Sequence, residues 1–204
     1  MQLPLARESN SDARGATSAS ASSSREAFDV EHYINFCKNI SSAQQGAVSY
    51  FSCFPQWIGS VMNKIDLKYF PSLQSFPIHF GELKNLRHLD LSRCINLTEL
   101  PNSFSELLHL QYLALQYCIN LSIPKDVLGE ISTLEAVDFR GCAKLVHLPE
   151  GMAKQRSLKY LNLKFCFELK ELPDLSSFVH LKFLNIYGCV KLETLNDEGL
   201  KSFE

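Results

Sequence analysis

Five cysteines stand at near-constant intervals in this chain: Cys94, Cys118, Cys142, Cys166 and Cys189, with steps of 24, 24, 24 and 23 residues. Each closes the same local sentence, L-x-x-L-x-L-x-x-C-x-x-L. The clearest copy is LKNLRHLDLSRCINLTELP, from Leu83 to Pro101; the others are LLHLQYLALQYCINL, ISTLEAVDFRGCAKL, RSLKYLNLKFCFEL and FVHLKFLNIYGCVKL. A fixed period in this range makes each unit one strand plus a return segment. A single unit cannot bury its own apolar face. Stacking adds neighbour burial and a hydrogen-bond ladder, so the array folds although its units do not.

The register extends back from Cys94. Phe70 lies 24 residues earlier and takes the cysteine slot, and Ile65, Leu67, Leu73, Phe76 and Pro77 then match Leu89, Leu91, Leu97, Leu100 and Pro101. One step further, FSCFPQWIG fits through Phe51, Phe54 and Pro55, with a linker two residues short. The expected inward strand residues are Leu86, Leu89 and Leu91, then Leu110, Leu113 and Leu115. They continue as Leu134, Val137 and Phe139, then Leu158, Leu161 and Leu163, then Leu181, Leu184 and Ile186. Alternation with polar residues means one buried and one wet face. The pairs Leu100–Pro101, Ile123–Pro124, Leu148–Pro149 and Leu172–Pro173 follow the turn, where proline's fixed φ and missing donor suit a segment outside the sheet. A second apolar set, including Phe104, Leu107, Val127, Ile131, Met152 and Phe178, is expected to line the back of the core. Two irregularities stand out: a one-residue shift around Ser122–Pro124, and Gln155 at an apolar position. The pattern is that of a leucine-rich repeat. It predicts an α/β leucine-rich-repeat solenoid over residues 50–204, a short right-handed horseshoe with a parallel sheet on its concave face.

Residues 1–26 are rich in Ser and Ala with little to bury, and predict a disordered tail. Residues 27–49 fit a short N-terminal cap over the first repeat. After Leu195 the chain holds too little for a convincing cap, so stacking at that end is an expected contact. The formal charge of −2 gives no global pull toward nucleic acid or anionic membrane. There is no run of about 18 apolar residues for a membrane span, and MQLPLARESN is too short for a signal-peptide core. Equivalent cysteines on successive rungs point the same way rather than at each other, which disfavours disulfides. The reading is reduced, buried thiols in the cytoplasm, with the nucleus as an alternative.

Catalytic signals are missing from the sequence pattern. It has no Gly-rich phosphate loop, no G-x-S-x-G elbow and no H-E-x-x-H or C-x-x-C pair, so neither enzyme activity nor a cofactor or metal is expected. His109 and His180 read as solvated, and Lys159, Lys164, Lys182 and Lys191 are interspersed with glutamates as a wet surface. The concave face carries the functional expectation. One row reads His88, Tyr112, Ala136, Tyr160, Phe183; the next Asp90, Ala114, Asp138, Asn162, Asn185; the third Ser92, Gln116, Arg140, Lys164, Tyr187, with Arg93, Tyr117 and Phe165 beside it. Exposed aromatics with nearby arginines have the composition of a protein-binding patch. The candidate ligand-binding residues are His88, Asp90, Arg93, Tyr112, Gln116, Tyr117, Asp138, Arg140, Tyr160, Asn162, Lys164, Phe183, Asn185 and Tyr187. The structural ladder is Phe70, Cys94, Cys118, Cys142, Cys166 and Cys189, each thiol expected to bond turn backbone.

The sentence L-x-x-L-x-L-x-x-C-x-x-L-x-x-L-P resembles the leucine-rich repeats of plant nucleotide-binding leucine-rich-repeat disease-resistance proteins. LRHLDLSRCINLTELP and LKYLNLKFCFELKELP are close to that style, and FPQWIG resembles a segment common in those receptors. The resemblance covers about residues 50 to 195. It implies a module in defence that recognises a pathogen effector or host signalling protein and regulates an attached nucleotide switch. No nucleotide-binding, TIR-like or coiled-coil signalling domain is present in the sequence, so switching is not carried over. Two alternatives stand beside it: a substrate adaptor of a ubiquitin ligase, whose repeats usually continue C-x-x-I-T-D, and a Ras-group-like scaffold, whose repeats are shorter and use Asn in the cysteine slot.

Overall fold

The structure is a computed structural model that describes residues 62–193 apart from 77, 125, 126 and 130. The expected tail and cap, the FPQWIG segment, Cys37, Cys53, Pro77 and the end of the chain after Glu193 lie outside the described residues. Six three-residue strands follow one another: β1 (Lys64–Asp66), β2 (His88–Asp90), β3 (Tyr112–Ala114), β4 (Ala136–Asp138), β5 (Tyr160–Asn162) and β6 (Phe183–Asn185). They form one sheet in sequence order, every pair parallel. The register places Ile65 opposite Leu89, then Leu113, Val137, Leu161 and Leu184 in turn. The expected 24-residue offset is therefore the pairing register itself.

Parallel strands need a crossover after each one, and this chain turns the corner twice within a few residues. Leu91 O accepts from Cys94 N at 3.1 Å, and Cys94 O from Leu97 N at 3.1 Å. The same pair of turns recurs at Cys118, Cys142, Cys166 and Cys189. The residue before each ladder position is left-handed: Tyr69, Arg93, Tyr117 and Phe165 at φ 56 to 65°, Gly141 at 73° and Gly188 at 79°. The return path is made of 3-10 turns, Ile78–Glu82, Asn102–Glu106, Glu150–Lys154 and Leu175–Ser177. These supply the helical part of the α/β pattern among the described residues. Pro101 and Pro149 stand immediately before two of them. Isolated parallel bridges, Glu99–Ser122 and His147–Glu171, add a fragmentary second ladder that period-2 alternation did not reveal. The Ser122 bridge spans 23 residues instead of 24, which is where the chain absorbs its one-residue shift.

The core lies between sheet and return path. Nearly all expected inward residues are buried, as is the back-of-core set Phe104, Leu107, Val127, Ile131, Met152 and Phe178. Leu184 and Ile186, on the last described rung, are only partly buried against this core. Phe80 stacks on Phe104 at 5.1 Å with Phe76 edge-on, filling the back of the first rungs. Gly151 packs against Gly129 so closely that an added Cβ would lie 2.0 Å from the Gly129 Cα. Gln155 is fully buried; its Nε2 donates to Leu128 O at 2.6 Å, while its Oε1 has no partner. A polar residue is held there by one backbone carbonyl of the preceding return segment.

The ladder thiols all do the same thing. Cys94 donates to Leu67 O, Cys118 to Leu91 O, Cys142 to Leu115 O, Cys166 to Phe139 O and Cys189 to Leu163 O, at 3.1–3.2 Å. Each acceptor is a turn carbonyl of the previous rung, so the thiols tie successive corners together. Among the described residues none of the five is joined in a disulfide. Burial pushes the Cys118 and Cys166 thiols up to about 12 and raises Cys142 and Cys189 as well. Such thiols are poor nucleophiles and poor metal ligands.

Candidate interaction surface

The strand residues that alternate with the buried leucines point away from the core and build one face from three rows. The first row begins at Lys64 and continues through His88, Tyr112, Ala136, Tyr160 and Phe183. Register puts these side by side, so their rings meet: His88 and Tyr112 at 6.2 Å, Tyr160 and Phe183 at 4.5 Å with planes only 4° apart. Ala136 separates the two ring pairs, leaving a step in the middle of the face. Burial, followed by the Asp90 and Asp138 carboxylates, holds the Tyr112 phenol above its usual pKa. Burial and Asp138 do the same to Tyr160. Phe183 remains 41% exposed, a large apolar surface with no use in the core.

The second row corrects an expectation. Alternation with leucine assigns Asp90, Asp138, Asn162 and Asn185 to a wet face, but Asp138 is 5% and Asn162 7% exposed, and Asp90 and Asn185 are half-buried. The reason is local. Each side chain folds onto its own corner, where Oδ1 accepts the backbone N–H two residues on: Ser92, Arg140, Lys164 and Tyr187, at 2.9–3.1 Å. Asp66 does the same for Lys68. Asp and Asn recur here because they shape the turn into the left-handed residue. Asp138 is further engaged, its Oδ2 accepting from Gln116 Nε2 at 2.9 Å and Asn162 Nδ2 at 3.2 Å. Asn162 Nδ2 also donates to the Tyr160 hydroxyl at 3.3 Å. This row is a hydrogen-bonded floor under the first and third rows. Burial is the leading influence on Asp138 and raises its pKa, against the three donors that lower it.

The third row and the adjoining left-handed corner carry the cations. Arg93 lies between two rings, 5.3 Å from Tyr69 and 5.1 Å from Tyr117. Arg140 covers Tyr117 at 5.4 Å. Lys164 lies 4.9 Å from Phe165 and 5.1 Å from Tyr187, and those two rings meet edge-on at 5.7 Å. Glycine at Gly141 and Gly188 makes room: an added Cβ would fall 2.5 Å from the Tyr117 ring and 2.6 Å from the Phe165 ring. Stacked cations of this kind are held in place at modest gain, about 0.5–1 kcal/mol at exposed sites.

The structure thus groups His88, Tyr112, Tyr160 and Phe183 in one row and Arg93, Tyr117, Arg140, Lys164 and Tyr187 along one border, with Asp90, Gln116, Asp138, Asn162 and Asn185 between them. Tyr69 was missed, although it has the signal that finds it: it stands immediately before a ladder position, as Arg93 and Tyr117 do. Lys159 pairs with Glu135 at 2.6 Å and Lys191 with Glu168 at 2.7 Å, across neighbouring rungs. Among the described residues no group of three or more His, Cys, Asp or Glu could hold a metal ion, and no helix is long and apolar enough to cross a membrane.

A family model described as Leucine Rich Repeat matches residues 85–107. Among solved structures, the chain is similar to the leucine-rich repeat domain of the type III effector XopL, at 16% identity and a TM-score of 0.52, covering 83% of this chain and 70% of that one. It also aligns with a leucine-rich-repeat protein of Leptospira interrogans, at 19% identity and a TM-score of 0.39, over 73% of this chain and 55% of that one. The plant peptide hormone receptor RGFR1, solved with RGF2, aligns at 15% identity and a TM-score of 0.28, over 70% and 37% of the two chains. The chain therefore spans about half the length of the Leptospira protein and less of the receptor. No curated protein sequence matches significantly. With six parallel strands in sequence order and the XopL likeness, the fold is a leucine-rich-repeat solenoid.

Proposed function

We propose that the chain is a non-enzymatic protein-interaction module that takes a protein ligand on the exposed sheet face. We further propose that it acts in plant defence as the repeats of nucleotide-binding leucine-rich-repeat receptors do, in the cytoplasm, on a pathogen effector or a host signalling protein. One observation carries the first part. The core is a monotonous leucine and cysteine ladder, yet the first row presents His88, Tyr112, Tyr160 and Phe183 as paired rings with no packing role inside. Rings already stacked lose little freedom on binding, and aromatic anchors of this kind dominate protein interfaces. Six strands at about 4.8 Å span about 24 Å, room for a helix or loop. The finer part rests on the sequence style alone, through LRHLDLSRCINLTELP and LKYLNLKFCFELKELP.

The test is Tyr160→Ala with Phe183→Ala, read by quantitative co-purification from plant tissue beside a thermal melt. Partner capture should fall at least tenfold while the melt stays cooperative. Undiminished capture refutes the sheet-face assignment. Ubiquitin-ligase core subunits among the partners would replace the receptor-like role with that of a substrate adaptor.

A further inference from the structure

The residue after each ladder position is apolar on every rung: Pro71, Ile95, Ile119, Ala143, Phe167 and Val190. The core does not require this. Ile95, Ile119, Phe167 and Val190 are 41, 43, 45 and 75% exposed. Rungs about 4.8 Å apart set these positions in a row about 24 Å long, just past the corner that follows the strands, with a half-buried Ala143 as a dip between Ile119 and Phe167. Scattered exposed apolar residues are ordinary; two adjacent pairs in one row, Ile95 with Ile119 and Phe167 with Val190, make a patch. The left-handed row runs alongside, and Phe165 meets Phe167 at 5.9 Å, joining the two. Gly141 and Gly188 show that this corner accepts glycine, yet four rungs carry Tyr69, Arg93, Tyr117 and Phe165 at positive φ. A side chain there costs about 1–2 kcal/mol of backbone energy, which binding surface would justify better than folding does.

The charge beside the ridge is one-sided, although the whole chain carries a formal charge of −2. Arg93, Arg140 and Lys164 line one flank and Lys144 the other; none of these four has an ion pair among the described residues. The acid in the flanking row, Glu168, is taken by Lys191 at 2.7 Å. Ring stacking holds the exposed Arg93 guanidinium in place for a carboxylate; Arg140 is stacked too, half-buried, with its Nε buried and its charge acting on Asp138.

We propose that this ridge docks an acidic amphipathic helix of a partner protein, its aliphatic seam on Ile95, Ile119 and Phe167 and its Glu and Asp flanks on Arg93, Arg140, Lys144 and Lys164. The geometry selects a helix. A helical turn rises about 5.4 Å, close to the rung spacing, and about 16 residues cover 24 Å. An extended peptide repeats its facing side chains about every 6.8 Å and falls out of step with the rungs. The proposal rests on the chain being a protein-binding module, but on side chains other than the Tyr160–Phe183 pair.

The test uses the full chain and a labelled synthetic 18-residue helix with a leucine seam and glutamate flanks, read by fluorescence anisotropy. A scrambled-seam peptide, a lysine-flanked peptide and phosphatidylserine vesicles are the comparison arms. Saturable binding tighter than about 100 μM is expected for the first peptide alone, weakening with salt. It should fall at least tenfold in Ile119→Asp with Phe167→Asp, and in Arg93→Gln with Lys164→Gln. The milder Ile119→Ser with Phe167→Ser serves if the aspartates disturb the melt. Tyr160→Ala with Phe183→Ala should leave it unchanged. No binding at about 1 mM, or equal binding of the scrambled seam, overturns the proposal. Ridge-dependent vesicle binding without peptide binding overturns it in favour of a lipid surface. Either failure leaves the sheet face to stand or fall on capture of its own partner.

Discussion

Asp138→Ala separates scaffold from binding surface. The Asp138 carboxylate holds three N–H groups: Arg140 N at 2.9 Å, Gln116 Nε2 at 2.9 Å and Asn162 Nδ2 at 3.2 Å. Alanine removes all three acceptors. Gln116 is half-buried and can turn its amide to water, and Asn162 keeps the Tyr160 hydroxyl. The Arg140 N–H is fixed by the corner and has nowhere to go. A buried donor left unpaired costs about 1–3 kcal/mol, partly offset by no longer desolvating a carboxylate. Ala114 shows that the damage is bounded, because its rung still turns, with Tyr117 at φ 59°. We expect a loss of about 2 kcal/mol at neutral pH, a fall in Tm of about 5 °C, and partner capture within twofold of wild type once both chains are folded. The pH dependence has a definite sign. Burial raises the folded pKa of Asp138 above the ordinary carboxylate value, so the folded state binds the proton at higher pH than the unfolded state does. Wild type therefore gains stability relative to the variant as pH falls from neutral through that raised value toward about 4. Urea unfolding at two pH values measures it. A wild-type advantage that shrinks over this window would mean the three hydrogen bonds outweigh desolvation and would refute the reasoning.

Other predictions are simpler. Gly151→Ala should destabilise by about 1–3 kcal/mol, because the new Cβ meets the Gly129 backbone rather than a movable side chain; urea denaturation showing no change would contradict the close approach. Alkylation of Cys118 and Cys166 at pH 8, followed by peptide mapping, should be negligible until the protein unfolds, since thiols near 12 are about one part in ten thousand ionised there. Fast native labelling of Cys118 or Cys166 would remove the buried ladder. Cys142→Ala should cost about 1–2 kcal/mol, for a lost sulfur in a filled core and a lost bond to Leu115 O; denaturation at equal m value checks it.

The strands, their register and the ladder are legible because leucine recurs with the period of the fold. Moving Leu113 by one position would turn it out of the core, so the pattern leaves one register. Phe70 could be placed by counting alone. The sheet face is legible for the same reason, as whatever alternates with leucine. The second row is where counting misleads. Asp138 and Asn162 alternate like surface residues, but a short polar side chain next to a left-handed corner bonds its own backbone, and no period shows that. The 3-10 return path is equally hidden: Asn102–Glu106 and Glu150–Lys154 are too short for a helical period, and their lengths follow from how far the chain must travel back. Gln155 looks like a fault in the apolar pattern until Leu128 O is seen beside it.

The first-row rings of β3, β5 and β6, Tyr112, Tyr160 and Phe183, are held to meet a protein partner while the return path does not. Site-specific photo-crosslinking tests it most directly, with the photoreactive residue placed in turn at Tyr112, Phe183, Asn102 and Lys154, the last two being exposed on the return path. A common crosslinked partner is expected from Tyr112 and Phe183 and none from Asn102 or Lys154. A partner captured from the return-path positions, with none from the sheet face, would contradict it.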